Sequence, residues 1–233
     1  MERLKRSLRK IGNKEKARLL QRFFKTGKGE YAEGDIFLGA TVPVLRKLAL
    51  QFRGLTLDNT ILLLKSPIHE ERLLALFILI LKYKASDHSG KENIYKLYLK
   101  HTRFINNWDL VDVTAKHIVG DFLRDRDKAP LYKLARSGSL WERRISIIST
   151  FDFIGHHRFD DSMRIAEILL LDPHDLIHKA VGWMLREVGK RDMAREEAFL
   201  KKHYKKMPRT MLRYAIEKFP EPRRQAYLKG DIR

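Results

Sequence analysis

The 233 residues are 44% hydrophobic and include no cysteine, so one substantial core is possible, while disulfide scaffolds, thiolate catalysis and thiolate metal sites are excluded. The formal net charge is +19, with ten Lys/Arg against two Glu in residues 1–27 and eleven against three acids in residues 201–233. Such a field suits a long polyanion and poorly suits an enzyme of small metabolites. An anionic membrane surface fits less well, because no helix pairs a basic face with a wide aromatic one, and no apolar run nears the ~18 residues of a span.

Two short helices are predicted at the start, Glu2–Ile11 and Lys14–Lys25, broken and capped at Gly12-Asn13. The charged stretch Met1–Lys10 opens into no apolar segment, and Leu4, Leu8 and Ile11 follow helical spacing. It therefore reads as helix, not as a targeting peptide, and the expected location is the cytoplasm. Residues 26–42 form the longest irregular stretch, holding Gly27, Gly29, Gly34 and Gly39. Ile36-Phe37-Leu38 is the only strand candidate, and a short extended loop accounts for it as well. Pro43 suits the first turn of a helix predicted over Val44–Phe52.

From there to residue 230, antiparallel helix pairs alternate. The outer members echo one another as Ile94-Tyr95-Lys96-Leu97, Leu131-Tyr132-Lys133-Leu134 and Ile165-Ala166-Glu167-Ile168. The inner members align in one register that begins at Glu71-Arg72, Asn107-Trp108, Arg143-Arg144, His178-Lys179 and Leu212-Arg213. The second position of that register recurs at spacings of 36, 36, 35 and 34 residues. Such a period marks stacked helical repeats that bury their apolar faces against neighbours. The fold expected is all-α: one domain over residues 1–233, a HEAT-like repeat solenoid curved into a superhelix, with the inner helices lining its concave side.

Within that register the second position is cationic at Arg72, Arg144, Lys179 and Arg213, a pattern that suggests contact with a phosphate backbone without base reading. The exception is Trp108. One turn on, the apolar slot of Leu76 and Ile148 is taken by Asp112 and Trp183, and Arg186 replaces the apolar residues Leu79, Ala115 and Phe151. Residues three or four apart share a helix face, so Trp108 pairs with Asp112 and Trp183 with Arg186. The expectation is a cationic groove with two indoles and one carboxylate at its floor. A carboxylate a full turn inside a helix is costly unless a cation or a function needs it.

Other chemistry finds less support. His174 and His178 stand at i, i+4 but lack the His-Glu-x-x-His order and an evident third ligand, so no metal is expected. Lys116, one turn past Asp112, is a conceivable Schiff-base lysine in a chain rich in lysines. A non-catalytic scaffold gripping nucleic acid or an acidic protein would explain the charge and the repeats, but not the carboxylate between indoles. An RNA reader taking one base per repeat would need varied polar pairs at the equivalent positions.

Asn107-Trp108-Asp109-Leu110-Val111-Asp112, taken with Lys179-Ala180-Val181-Gly182-Trp183-Met184-Leu185-Arg186-Glu187, resembles the bacterial AlkD family of DNA alkylation repair glycosylases. Gly34-Asp35-Ile36-Phe37-Leu38-Gly39 and Trp141-Glu142-Arg143-Arg144 resemble it too, so the likeness covers essentially the whole chain. Asn107 departs from the pattern, since some members carry a second aromatic there, and the 26–36 loop is longer than in compact members. The resemblance implies a monomer that wraps duplex DNA and excises cationic N3- and N7-alkylated purines (3-methyladenine, 7-methylguanine) without metal or cofactor. It also implies that the base stays stacked. By position, Asp112 would be the catalytic carboxylate, Trp108 and Trp183 the aromatic walls, and Arg144 and Arg186 holders of the phosphate backbone.

Overall fold

A computed structural model describes residues 1–232. Helices and turns make up the architecture, and among the described residues the only β-pairing is an isolated parallel bridge between Ile36 and Ile68. The strand candidate is thus an extended loop pinned at one point, where the His69 amide donates to the Ile36 carbonyl at 2.8 Å. No helix among the described residues is long and apolar enough to cross a membrane. The chain resolves into two compact units, Met1–Leu110 and Val111–Arg233.

In the first unit, α1 (Glu2–Lys10) buries Leu4 and Leu8, turns Arg3, Arg6, Arg9 and Lys10 outward, and sets Lys5 3.5 Å from the buried Glu71. Helix α2 (Lys14–Phe23) starts at Asn13, whose side chain accepts from the Lys16 amide at 2.9 Å. It ends two residues before the predicted Lys25, which lies in the left-handed region at φ 52°. The loop that follows crosses the start of α2 at Gly39, where φ is +83° and an added Cβ would lie 2.1 Å from the Asn13 carbonyl oxygen. Only glycine fits there. Glu70 anchors the same loop, accepting from the amides of Leu38, Gly39 and Ala40 at 2.9, 2.7 and 3.2 Å.

Helix α3 (Val42–Gln51) carries Pro43 in its first turn, and α4 (Leu57–Leu64) is capped by Thr56. Both pack on α5 (His69–Ala85), which also meets α6 (His88–Lys100). Leu73 through Ile80 are all buried, so the middle two turns of α5 are apolar on every side, as the centre of a unit requires. A short 3₁₀ turn at Thr102–Phe104 leads to α7 (Trp108–Asp112).

The second unit opens with a π-helical turn, Lys116–Gly120, continued by α8 (Asp121–Leu123). There follow α9 (Ala129–Ala135), α10 (Leu140–Gly155), α11 (Asp160–Ile168), α12 (Asp175–Gly189), α13 (Met193–His203), α14 (Arg209–Ala215) and α15 (Glu221–Lys229). Helix α12 packs between α10 and α14, while α9 and α11 lie against α10 and α13 against α12. Within this unit the inner helices are therefore successive neighbours, as the shared register predicts. Two glycines permit the closeness. A Cβ on Gly120 would lie 2.3 Å from the Ser149 carbonyl oxygen of α10, and one on Gly182 would lie 2.4 Å from the Met211 carbonyl oxygen of α14.

Candidate active site

Helix α10 begins at Ser139, which accepts from the Glu142 amide, and one turn later projects Arg144. The Arg144 guanidinium grips Asp112 bidentately, Nε to Oδ1 at 2.8 Å and NH2 to Oδ2 at 2.7 Å. Its third nitrogen, NH1, donates to the Leu176 carbonyl in the first turn of α12. This fork geometry is among the stronger charge-assisted pairings in proteins. Arg144 is 5% exposed, whereas the Asp112 side chain keeps 16% of its surface open. The carboxylate that breaks the repeat pattern is thus compensated by a cation and retains a small exposed surface.

Trp183 lies on α12, half-buried, edge-on to Phe151 of α10 at 5.6 Å between ring centroids. Lys116, on the π-helical turn, sets its ammonium 4.5 Å above the same Phe151 ring. Glu187, one turn beyond Trp183, is buried, which disfavours its charge. Donors on Lys190, Arg191 and the Trp183 indole nevertheless hold its carboxyl below the ordinary range. The indole thus lies near the Glu187 carboxyl and edge-on to Phe151. Among the described residues this unit offers a partly exposed carboxylate, an indole and a cation over an aromatic ring.

The five cations expected to meet phosphate have different surroundings. Arg72 is a correction: it is buried in the first unit, with NH2 2.7 Å from Asp35 Oδ1 and NH1 on the Ser66 carbonyl, so it neutralises an internal acid and cannot reach DNA. The Arg144 guanidinium is likewise engaged within its own unit, by Asp112 and the Leu176 carbonyl. The physical reason is common to both: an arginine near the start of an inner helix faces the preceding repeat, and a carboxylate there captures it. Arg186 pairs with Glu217, its Nε buried without a partner. Lys179 pairs with Asp175 at 2.7 Å, both side chains well exposed, a contact worth little in water. Arg213 is exposed.

In the first unit, Trp108 is half-buried on an aromatic cluster. It stacks on Phe24 (5.0 Å, 20°), meets Phe23 edge-on (5.9 Å), and donates from Nε1 to the Tyr31 hydroxyl at 3.3 Å. Phe23 is 63% exposed, unusual for a phenylalanine. These partners were not singled out from sequence; the Phe23-Phe24 pair closing a basic helix was the available signal. Asn107, the departure from the family motif, is fully buried, and its Oδ1 accepts from the Trp108 amide at 2.8 Å. It holds the first amide of α7, a hydrogen bond that an aromatic side chain could not accept. His174 and His178 are used locally: His174 accepts from the Leu176 amide and His178 bonds the Asp172 carbonyl.

The model of the family described as DNA alkylation repair enzyme matches residues 4–219. Among solved structures, the chain is similar to a predicted DNA alkylation repair enzyme from Enterococcus faecalis, at 15% identity and a TM-score of 0.69, over 90% of this chain and 97% of that one. It is also similar to AlkD2 from Streptococcus mutans, at 18% identity and a TM-score of 0.55, over 88% and 98% of the two chains. At such identities these likenesses speak for the helical-repeat fold alone. No curated protein sequence matches. Covering nearly its whole length, the family match settles membership: the chain belongs to the DNA alkylation repair enzyme family.

Proposed function

We propose that this member is a monofunctional DNA glycosylase that removes cationic N3- and N7-alkylated purines from duplex DNA. Alkylation at N3 or N7 leaves the purine positively charged and ready to depart. When the bond between C1′ and the purine N9 breaks, its electron pair neutralises the base and the positive charge passes to the sugar as an oxocarbenium ion. Water then adds to C1′ and gives up a proton. No strong general acid is required; negative charge and π density near C1′ are. Asp112 supplies the charge and can orient the water, and Trp183 supplies π density worth about 0.5–2 kcal/mol. Trp108, brought into the reading by its place in the family motif, is the second indole. Arg186, Lys179 and Arg213 are the phosphate contacts, and Arg144 joins them on the occasions it leaves Asp112. Contact with the backbone while the base stays stacked is what the resemblance implies.

The observation that carries this reading is the partly exposed Asp112 carboxylate, held by a bidentate arginine in the same unit as the Trp183 indole. The test is release of free 7-methylguanine from methylated duplex DNA by purified protein in the presence of chelator. Duplex binding with no base released sinks the glycosylase reading. One observation favours a rival: the Arg144 fork balances the Asp112 charge as a purely structural ion pair would. In that case the protein grips alkylated DNA without cleaving it, and Asp112→Asn alters stability alone.

A further inference from the structure

His69, the first residue of α5, has a side chain only 2% exposed, yet both of its ring nitrogens meet carboxylates. Nδ1 is 3.1 Å from Asp35 Oδ2, and Nε2 is 2.8 Å from Asp109 Oδ2. An ionised carboxylate can only accept, so each nitrogen must carry a proton and the ring is an imidazolium. Asp35 is shared further with the Arg72 guanidinium at 2.7 Å and the Asn107 side-chain amide at 3.3 Å. The charged groups around the ring are thus Asp35 from the loop, Arg72 from its own helix and Asp109 from α7. Two cations face two anions, the balance a buried cluster requires. Burial works against the imidazolium, but the hydrogen bonds to Asp109 and Asp35 prevail, and the ring titrates above its ordinary value.

The faces of the ring are occupied as well. Phe37 stacks on it at 4.4 Å and Phe24 lies tilted at 5.2 Å. Phe24 is the ring on which Trp108 stacks. His69 is therefore tied to Trp108 by two routes: through Phe24 to the face of the indole, and through Asp109 to the residue directly after it. The geometry points to His69 as a positioning residue for Trp108, an imidazolium clasp that fixes the start of α7 and the aromatic floor beneath the indole, and so sets how Trp108 is presented to the damaged nucleotide. The last clause rests on the glycosylase reading; the coupling between His69 and Trp108 does not.

Two measurements test it. The first is spectroscopic and needs no activity: in a Trp141→Phe, Trp183→Phe background the remaining emission belongs to Trp108. Raising the pH through the His69 titration deprotonates the ring and breaks one of the two carboxylate bonds, so the emission shifts in one step. His69→Gln, which cannot carry the charge, abolishes that step. Emission that is flat across this range in the folded protein, or a step that survives His69→Gln, overturns the proposal. Should His69→Gln not fold, Asp109→Asn serves instead, and it must move the step to lower pH because one counter-charge is gone.

The second measurement is kinetic. His69→Gln lowers the single-turnover rate of 7-methylguanine release about tenfold while duplex affinity stays within about twofold, the split expected of displaced but present machinery. Equal losses in affinity and rate, or no loss at all, refute the positioning role. If the wild-type protein releases no base, the glycosylase reading falls, and the emission step still decides whether His69 governs Trp108.

Discussion

Replacing Asp112 by Asn tests the chemistry most directly, and the structure limits the size of the effect. A carboxylate ~4 Å from the oxocarbenium charge, at an effective dielectric near 20, attracts it by roughly 4 kcal/mol. The Arg144 guanidinium, bound to the far side of the carboxylate at 2.7–2.8 Å, then lies ~8 Å from the same charge and repels it by roughly 2 kcal/mol. The net attraction of ~2 kcal/mol corresponds to about thirtyfold in rate, whereas an Asp112 freed of Arg144 by a DNA phosphate gives about a thousandfold. Asp112→Asn should therefore reduce single-turnover release of 7-methylguanine by about thirty- to a thousandfold, with duplex affinity little changed. A loss near the upper limit means that substrate takes Arg144 away; one near the lower limit means that the pair persists. The variant leaves a buried guanidinium short of its partner, a cost of about 3–5 kcal/mol at worst, so rates are read only where circular dichroism shows a folded protein. Release unchanged from wild type in folded Asp112→Asn removes Asp112 from the mechanism and refutes the electrostatic argument.

Glu196 is 1% exposed, and burial, aided by the charge of Glu197, pushes its carboxyl up to about 9. The folded state keeps a proton that the unfolded chain releases near 4.5, so stability falls by about 1.4 kcal/mol per pH unit as pH rises between these values. Glu196→Gln should flatten that slope and add roughly 3 kcal/mol at neutral pH in urea unfolding; parallel slopes for the two proteins would count against a neutral buried acid. Gly182→Ala puts a methyl 2.4 Å from the Met211 carbonyl oxygen and 2.5 Å from the Tyr214 Cβ, forcing α12 and α14 apart. A loss of about 1–3 kcal/mol is expected, and an unchanged melting curve would mean that α14 yields freely. Arg213→Ala should lower the salt dependence of duplex affinity by about one phosphate contact, while Arg72→Met should destabilise the fold and leave that slope alone. The reverse result would restore Arg72 to the interface.

Repeat period, helix type, the capping Asn13, the first-turn Pro43 and the acid at position 112 were all legible in the linear sequence. Each depends on spacing along one chain segment or on the intrinsic geometry of one residue. The departures from the register could also be read there, because a repeat that loses its apolar slot shows it in the residue types alone. The partners of the charged residues lay beyond such reading. Arg72 and Arg144 occupy equivalent places and read alike, yet they close on acids 37 and 32 residues away. The same holds for His69, whose neighbours Asp35 and Asp109 lie 34 and 40 residues off and whose ring gave no sign of burial. Helical periodicity reports which face of a helix is apolar. Whether a cation on its edge reaches solvent or a buried carboxylate depends on the neighbouring helix, and only the packed tertiary structure brings that acid within hydrogen-bonding distance.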